Sequence, residues 1–157
     1  MFKQIQILAA EPHHLPQILE IERTWNPLPW SKEIFKSEIA NPKNLFLVAV
    51  HDNQVVGYGD MGFTDDEGHL LTFAVAQNYQ QQGIGKRLLV NFLEEAKKKG
   101  VGGIFLEVRR SNEKAQCLYA KEGFNVISFR KTYYVDNRED ALVMKLENLQ
   151  SWIPIGC

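Results

Sequence analysis

Glu107 stands in the run Ile104-Phe105-Leu106-Glu107-Val108-Arg109. If that run is a strand, Ile104, Leu106 and Val108 share one face and Phe105, Glu107 and Arg109 the other. A carboxylate flanked by Leu106 and Val108 is then either exposed or functional. The preference of carboxylates for the surface favours exposure on spacing alone. A carboxylate has the chemistry of a general base, acting directly or through water. Further along, Tyr119 offers a phenol. Its spacing from Ala115 is that of a helical core position, yet a ring can pack while its hydroxyl reaches a site.

A second chemical signal is the stretch Gln80-Gln81-Gln82-Gly83-Ile84-Gly85-Lys86, which follows Thr72-Phe73-Ala74-Val75-Ala76. It joins a strand to a long helix. Such a loop presents unpaired backbone N–H groups at the positive end of a helix, a ready place for phosphate oxygens. Gly83 and Gly85 leave room where backbone and anion approach closely. A P-loop is excluded, because no Gly-x-x-x-x-Gly-Lys-Ser/Thr string exists. A dinucleotide fingerprint is excluded as well, since Leu88 stands where its third glycine belongs. Alone, the loop reads equally well as an ordinary glycine turn.

The elements that must hold these groups alternate along the chain. Phe2–Ala10 reads as a strand and Pro12–Thr24 as a helix with Leu15, Ile18 and Leu19 on one face. Asn26-Pro27-Leu28-Pro29-Trp30 is a stiff connection, and Ser31 caps a second helix in which Ile34, Phe35, Glu38 and Ile39 share a face. Leu45–His51 and Val55–Phe63 form a hairpin about Asp52-Asn53-Gln54, followed by a strand over His69–Ala76. Ile84–Lys99 is the clearest helix, with a stripe of Ile84, Leu88, Leu89, Phe92, Leu93 and Ala96 ending at Gly100. Val101–Arg109 is a strand, and Ser111 or Asn112 caps a helix that stops at Gly123. Asn125–Val135 and Ala141–Leu146 are the last strands. The order β-α-α-β-β-β-α-β-α-β-β implies an α/β fold of the α+β kind, a mixed sheet with helices on its faces.

Bulk properties narrow the function. A chain of 157 residues fits one domain, here 1–150, with 151–157 as a short apolar tail. The net charge of −1 supplies no global field for nucleic acid or an anionic membrane. The longest apolar run, Leu45–Val50, is far short of the ~20 residues of a membrane span. The N-terminal segment lacks the apolar core of a signal peptide, so a cytoplasmic location is expected. Cys117 and Cys157 suggest no disulfide framework, and Cys117 is expected to be buried packing. His13, His14, His51 and His69 have no ligand spacing, so no metal is expected.

Taken together the motifs resemble one family. Gln80-x-x-Gly83-x-Gly85 after Phe-Ala-Val matches the pyrophosphate loop of the GNAT acetyltransferases. Leu106-Glu107-Val108-Arg109-Arg110-Ser111-Asn112, with Leu118-Tyr119 and Gly123-Phe124, resembles the corresponding block of the ribosomal-protein-alanine N-acetyltransferases (the RimI type). Pro29-Trp30-Ser31 and Arg130-Lys131-Thr132-Tyr133-Tyr134 extend the likeness over almost the whole chain. The resemblance implies the GNAT fold, with the strand Leu70–Ala76 splayed from Ile104–Arg109 and acetyl-CoA between them. It implies that Phe73, Ala74 and Val75 hold the pantetheine arm by backbone groups and that Val75 N–H faces the thioester oxygen. Gln81, Gln82, Gly83, Ile84, Gly85 and Lys86 would cradle the pyrophosphate. Glu107 would be the base and Tyr119 the proton donor to the departing thiolate. Asn112 would touch the cofactor, although a helix cap explains it equally well. Trp30 and Tyr134 would wall the acceptor groove, against plain packing at even weight.

The function implied is acetyl transfer from acetyl-CoA to a protein N-terminal α-amine, such as the alanine of a small-subunit ribosomal protein, by direct attack in a ternary complex. Two alternatives stand beside it: a small amine as acceptor, or an acetyl-CoA sensor without turnover. Retention of both Glu107 and Tyr119 argues against the sensor.

Overall fold

The computed structural model describes residues 4–154. The expected start of the first strand at Phe2, the last tail residues and Cys157 lie outside the described residues. The elements are β1 (Gln6–Ala9), α1 (Leu15–Trp25), α2 (Lys32–Ala40), β2 (Leu45–His51), β3 (Gln54–Phe63), β4 (Glu67–Val75), α3 (Ile84–Lys98), β5 (Gly103–Arg109), α4 (Glu113–Lys121), β6 (Asn125–Arg130) and β7 (Ala141–Leu146). The strands form one seven-stranded sheet in the order β1-β2-β3-β4-β5-β7-β6. β4 and β5 run parallel, whereas β1–β2, β2–β3, β5–β7 and β6–β7 are antiparallel. This is the expected mixed sheet.

The chain packs as two compact units. One comprises the chain up to Gly62 with Thr72–Phe92, the other Phe63–Leu71 with the chain from Leu93 onward. In the first, α1 places Leu15, Ile18, Leu19 and Ile21 against Phe35, Phe46, Val48 and Tyr58. β3 passes Phe92 so closely at Gly59 that a Cβ there would lie 2.6 Å from the Phe92 ring. Only glycine fits. The β2–β3 turn uses Asp52 and Asn53 in the left-handed region, φ 50° and 63°, the chemistry of a tight hairpin.

In the second unit β5 lies between β4 and β7, with Ile104, Leu106 and Val108 buried on one face. Pairing with β4 runs from Glu67↔Gly103 to Leu70↔Leu106, while pairing with β7 continues to Arg109↔Ala141. Trp152 is buried, and its carbonyl accepts from Lys97 Nζ at 2.6 Å, so the described start of the tail is docked.

Three expectations need correction. β6 ends at Arg130 rather than Val135. Thr132 adopts φ 48°, its N–H donates to Asp140 Oδ1 at 3.0 Å, and Tyr134 N–H donates to Glu139 O at 3.1 Å, which turns 131–140 into a loop. Ile34 is exposed while Phe35 faces the core, so the buried face of α2 is narrower than its pattern implied. Cys117 is exposed, because α4 turns its Tyr119 side inward and positions two apart on a helix do not share a face.

Candidate active site

In the second unit, alternation along β5 puts Glu107 on the face opposite Leu106 and Val108, where its side chain is only 10% exposed. It is neither freely solvated nor in the core. His69, in β4, reaches Glu107 Oε1 with Nε2 at 2.6 Å. Toward an ionised carboxylate at that distance, Nε2 is the donor. The imidazole stacks on Phe105 at 4.2 Å with the planes 14° apart, which fixes its orientation. Arg130 Nη2 lies 3.9 Å from the other carboxylate oxygen.

Two tyrosines of the β6–β7 loop face the same carboxylate electrostatically. Burial pushes the Tyr133 phenol up, reinforced by Glu107 and opposed by Arg130. Burial likewise pushes Tyr134 up to about 12, with Arg109 opposing and Tyr133, Glu107 and Glu139 adding to the rise. Tyr134 is half-buried beneath a guanidinium: Arg109 sits 4.0 Å over its ring. Arg109 is itself held by both oxygens of Asp136 at 3.1 Å and by Glu139 at 3.5 Å. The Ser111 hydroxyl and N–H beside Glu139 hold that carboxyl down at about 2. The loop that carries Tyr134 is thus pinned by a charged cluster rather than by apolar packing.

Tyr119 is buried in α4, 5.8 Å from the Phe124 ring, and its phenol is pushed well up by burial and by Tyr134. It stays protonated throughout the neutral range. Asn112 is the N-cap of α4 and accepts from Ala115 N–H at 3.2 Å, the local role its position suggested.

In the first unit, the loop before α3 carries Gln81 at φ 60° and Gly83 at φ 83°. A Cβ built on Gly83 meets nothing within 4 Å, so glycine is required there by conformation and not by crowding inside the protein. Arg87 N–H is the first donor in this turn with a backbone partner, Gly83 O at 3.1 Å. Among the described residues, no hydrogen bond takes up the backbone N–H groups of Gln81, Gln82, Gly83, Ile84, Gly85 or Lys86. Six free donors at the head of a 15-residue helix fit a diphosphate. Gln80 Nε2 donates to Val75 O at 3.1 Å and Gln82 Nε2 to Asn78 O at 3.2 Å, so these side chains brace the loop. Ala74 is buried, whereas Phe73 and Val75 are half-buried on β4. Trp30 is half-buried against Phe35, ring centroids 5.2 Å apart.

Electrostatic influence links Glu107 with Tyr134, and Tyr134 with Tyr119. His69, Arg130, Tyr133 and Arg109 were not foreseen in this role. Register is the signal that finds His69. It is the direct partner of Phe105 in the parallel pair, which puts its side chain on the Phe105 and Glu107 face. Among the described residues no group of three or more His, Cys, Asp or Glu could hold a metal ion, and no helix is long and apolar enough to cross a membrane.

Residues 15–124 match the family model described as the acetyltransferase (GNAT) family. The ribosomal protein bS18-alanine N-acetyltransferase of Escherichia coli K12 is 35% identical over 89% of this chain and 95% of that enzyme. The enzyme of the same name from Haemophilus influenzae is 37% identical over 82% of this chain and 88% of its own. The crystal structure of the Escherichia coli ribosomal-protein-S18-alanine N-acetyltransferase superposes with a TM-score of 0.86 at 32% identity, covering 98% of this chain and all of that one. A sheet of this order and likeness on this scale lead to one conclusion: the chain belongs to the GNAT acetyltransferase family.

Proposed function

We propose that this enzyme transfers the acetyl group of acetyl-CoA to the N-terminal α-amine of a protein, and that its acceptor is the alanine terminus of a small-subunit ribosomal protein of the bS18 kind. Such an acceptor places the reaction in the cytoplasm. The observation that carries the reading is the Glu107 carboxylate, shielded from solvent and held at 2.6 Å by His69.

The bound cosubstrate supplies the thioester to be attacked. The backbone donors of Gln81–Lys86 hold its diphosphate, Phe73, Ala74 and Val75 its pantetheine arm, and Val75 N–H faces the oxygen that gains charge. Asn112 adds a contact while capping α4. Glu107 takes the proton that the amine gives up. A free α-amine has a pKa near 8, so a modest base suffices. Tyr119 keeps its proton and would donate a hydrogen bond to the sulfur as the C–S bond breaks. Because burial raises the phenol, full transfer would leave a phenolate less stable than the thiolate it neutralised. Hydrogen bonding to the developing thiolate is therefore the better description of its role. Trp30 and Tyr134 line the path of the peptide.

The test is mass spectrometry of short peptides incubated with the protein and acetyl-CoA. An alanine-initiated peptide of bS18 type should gain 1 acetyl group (roughly 42 Da) at its α-amine, where about half the molecules are neutral near pH 8, in preference to lysine side chains. Equal labelling of a peptide with a blocked N-terminus would refute the acceptor assignment.

A further inference from the structure

A carboxyl of β3 is buried with no cation beside it. Asp60 is 0% exposed and lies opposite Phe46 in the β2–β3 ladder. It shares a face of β3 with Tyr58, since side chains two apart on a strand point the same way. That face packs under α2, whose Phe35 ring meets Tyr58 edge-on with centroids 5.8 Å apart. One turn further along α2 stands Glu38, which shares a side-chain hydrogen bond with Asp60. Asn44, in the turn after α2, donates Nδ2 to Glu38 Oε1 at 3.1 Å and to Asp60 Oδ1 at 3.5 Å. Asn41 fixes Asn44 in turn, its carbonyl accepting the Asn44 N–H at 3.1 Å.

Nothing in this group supplies positive charge. Lys36 and Lys43, the cations nearest in sequence to Glu38 and Asn44, are exposed, and no cation acts on Asp60 among the described residues. Asp60 Oδ2 has no donor there either. On the same face of β3, Tyr58 donates its hydroxyl to Glu22 of α1, and burial holds its phenol well above the usual value. Two ionised carboxylates cannot hydrogen-bond to each other, and a buried pair of like charges is costly. A single proton resolves both problems. It makes one carboxyl a donor and the other its acceptor, with the Asn44 amide touching both. Burial, the hydrogen bond to Glu38 and the Glu38 charge push the Asp60 carboxyl up to about 9, with Asn44 opposing.

We infer that Asp60 and Glu38 hold one proton between them, and that this proton clips α2 to β3, so that α2 is released more readily as pH rises. When α2 lifts, both carboxyls reach water and ionise, as ordinary carboxylates do above about pH 4. Closing therefore takes up one proton and opening releases it. Between that ordinary value and about 9, raising the pH favours the open form, which lacks the proton. The open fraction grows about tenfold per pH unit across the neutral range. Below the window both forms are protonated, above it neither is, and the dependence ends. The clip uses no residue of the Gln81–Lys86 loop or of the Glu107 cluster, so it stands apart from the acetyl transfer proposed above.

Hydrogen exchange of the full chain between about pH 6 and pH 8, read by mass spectrometry and corrected for the intrinsic rate, tests this. Protection of the α2 amides should fall on the order of tenfold per pH unit, while that of α3 stays level. Asp60→Asn keeps the shape and gives Glu38 a permanent donor, so α2 protection should become level as well. A slope absent from the parent, or one that survives in Asp60→Asn, overturns the inference. Carbon NMR shifts of the two carboxyls in the parent need no variant. One protonated carboxyl between Asp60 and Glu38 is expected at neutral pH, and two ionised carboxylates would sink the shared proton.

Discussion

The Gln81–Lys86 loop and the surroundings of Glu107 are both suited to charge, but they are built of different material. The loop offers backbone. Among the described residues, six backbone N–H groups lie without hydrogen bonds at the head of α3, while Gln82 braces the loop, Gln81 is exposed and Ile84 packs in the core. Around Glu107 the working atoms belong to side chains: His69 at 2.6 Å, Arg130 at 3.9 Å, and tyrosines whose phenols burial pushes up. A backbone site depends on φ and ψ and tolerates most side chains that permit them. A side-chain site depends on single atoms. The two regions should therefore answer substitution by different rules.

The largest effect is expected at the carboxylate. Glu107→Gln keeps the shape and cannot accept a proton, so kcat should fall on the order of 10²- to 10⁴-fold. The loss should shrink as pH rises toward the amine's own pKa, since more acceptor then arrives neutral. A pH–rate profile of the folded variant reads this directly, and near-parental rates would move the base elsewhere. Tyr119→Phe deletes one hydroxyl from a buried ring. Turnover should fall roughly 10²-fold, the low end for a general acid–base group, with calorimetric acetyl-CoA affinity preserved. Little rescue should come from alkaline pH, because a donor is missing. Full activity would return Tyr119 to a packing role.

His69→Gln tests whether the side-chain site extends one residue further than its motif. The amide can still donate to Glu107 but cannot stack on Phe105 in the same way, so kcat should drop about tenfold with KM for acetyl-CoA unchanged. On the backbone side, Gly83→Val forces a β-branched residue to φ 83°, a conformation costing roughly 1–2 kcal/mol. Acetyl-CoA should bind about tenfold more weakly by calorimetry, while peptide KM at saturating cofactor changes little. Unchanged affinity would remove the loop from the cofactor site. Lys86→Ala should cost least, no more than about threefold, since it removes one half-exposed charge and leaves the N–H groups in place. If Lys86→Ala proved worse than Gly83→Val, the contrast between backbone and side-chain construction would fail.

Much of this was legible in the residues. The stripe of α3, the glycine stop at Gly100, the hairpin at Asp52-Asn53 and the cap at Asn112 are local patterns, and they stand where periodicity and turn chemistry placed them. The strand that carries Glu107 and the helix that carries Tyr119 were legible through motifs contiguous with them. Cys117 was not, because its burial depends on which way α4 rolls against its neighbours. Val135 was drawn into β6 by its apolar character, while the left-handed Thr132 ended the strand.

What the sequence determined by itself is therefore what neighbours along the chain decide: where helices and strands form, where turns need positive φ, and which loop exposes its N–H groups. Tertiary structure alone decided the partnerships. His69 meets Glu107 because β4 and β5 pair in the register His69↔Phe105, and a shift of one residue would turn the imidazole to the other face. Glu22 meets Tyr58 because α1 packs on β3 at one rotation, and Arg109 covers Tyr134 because Asp136 and Glu139 fold back to hold it. No local pattern encodes these contacts, since each depends on how residues distant in the chain are brought to hydrogen-bond distance.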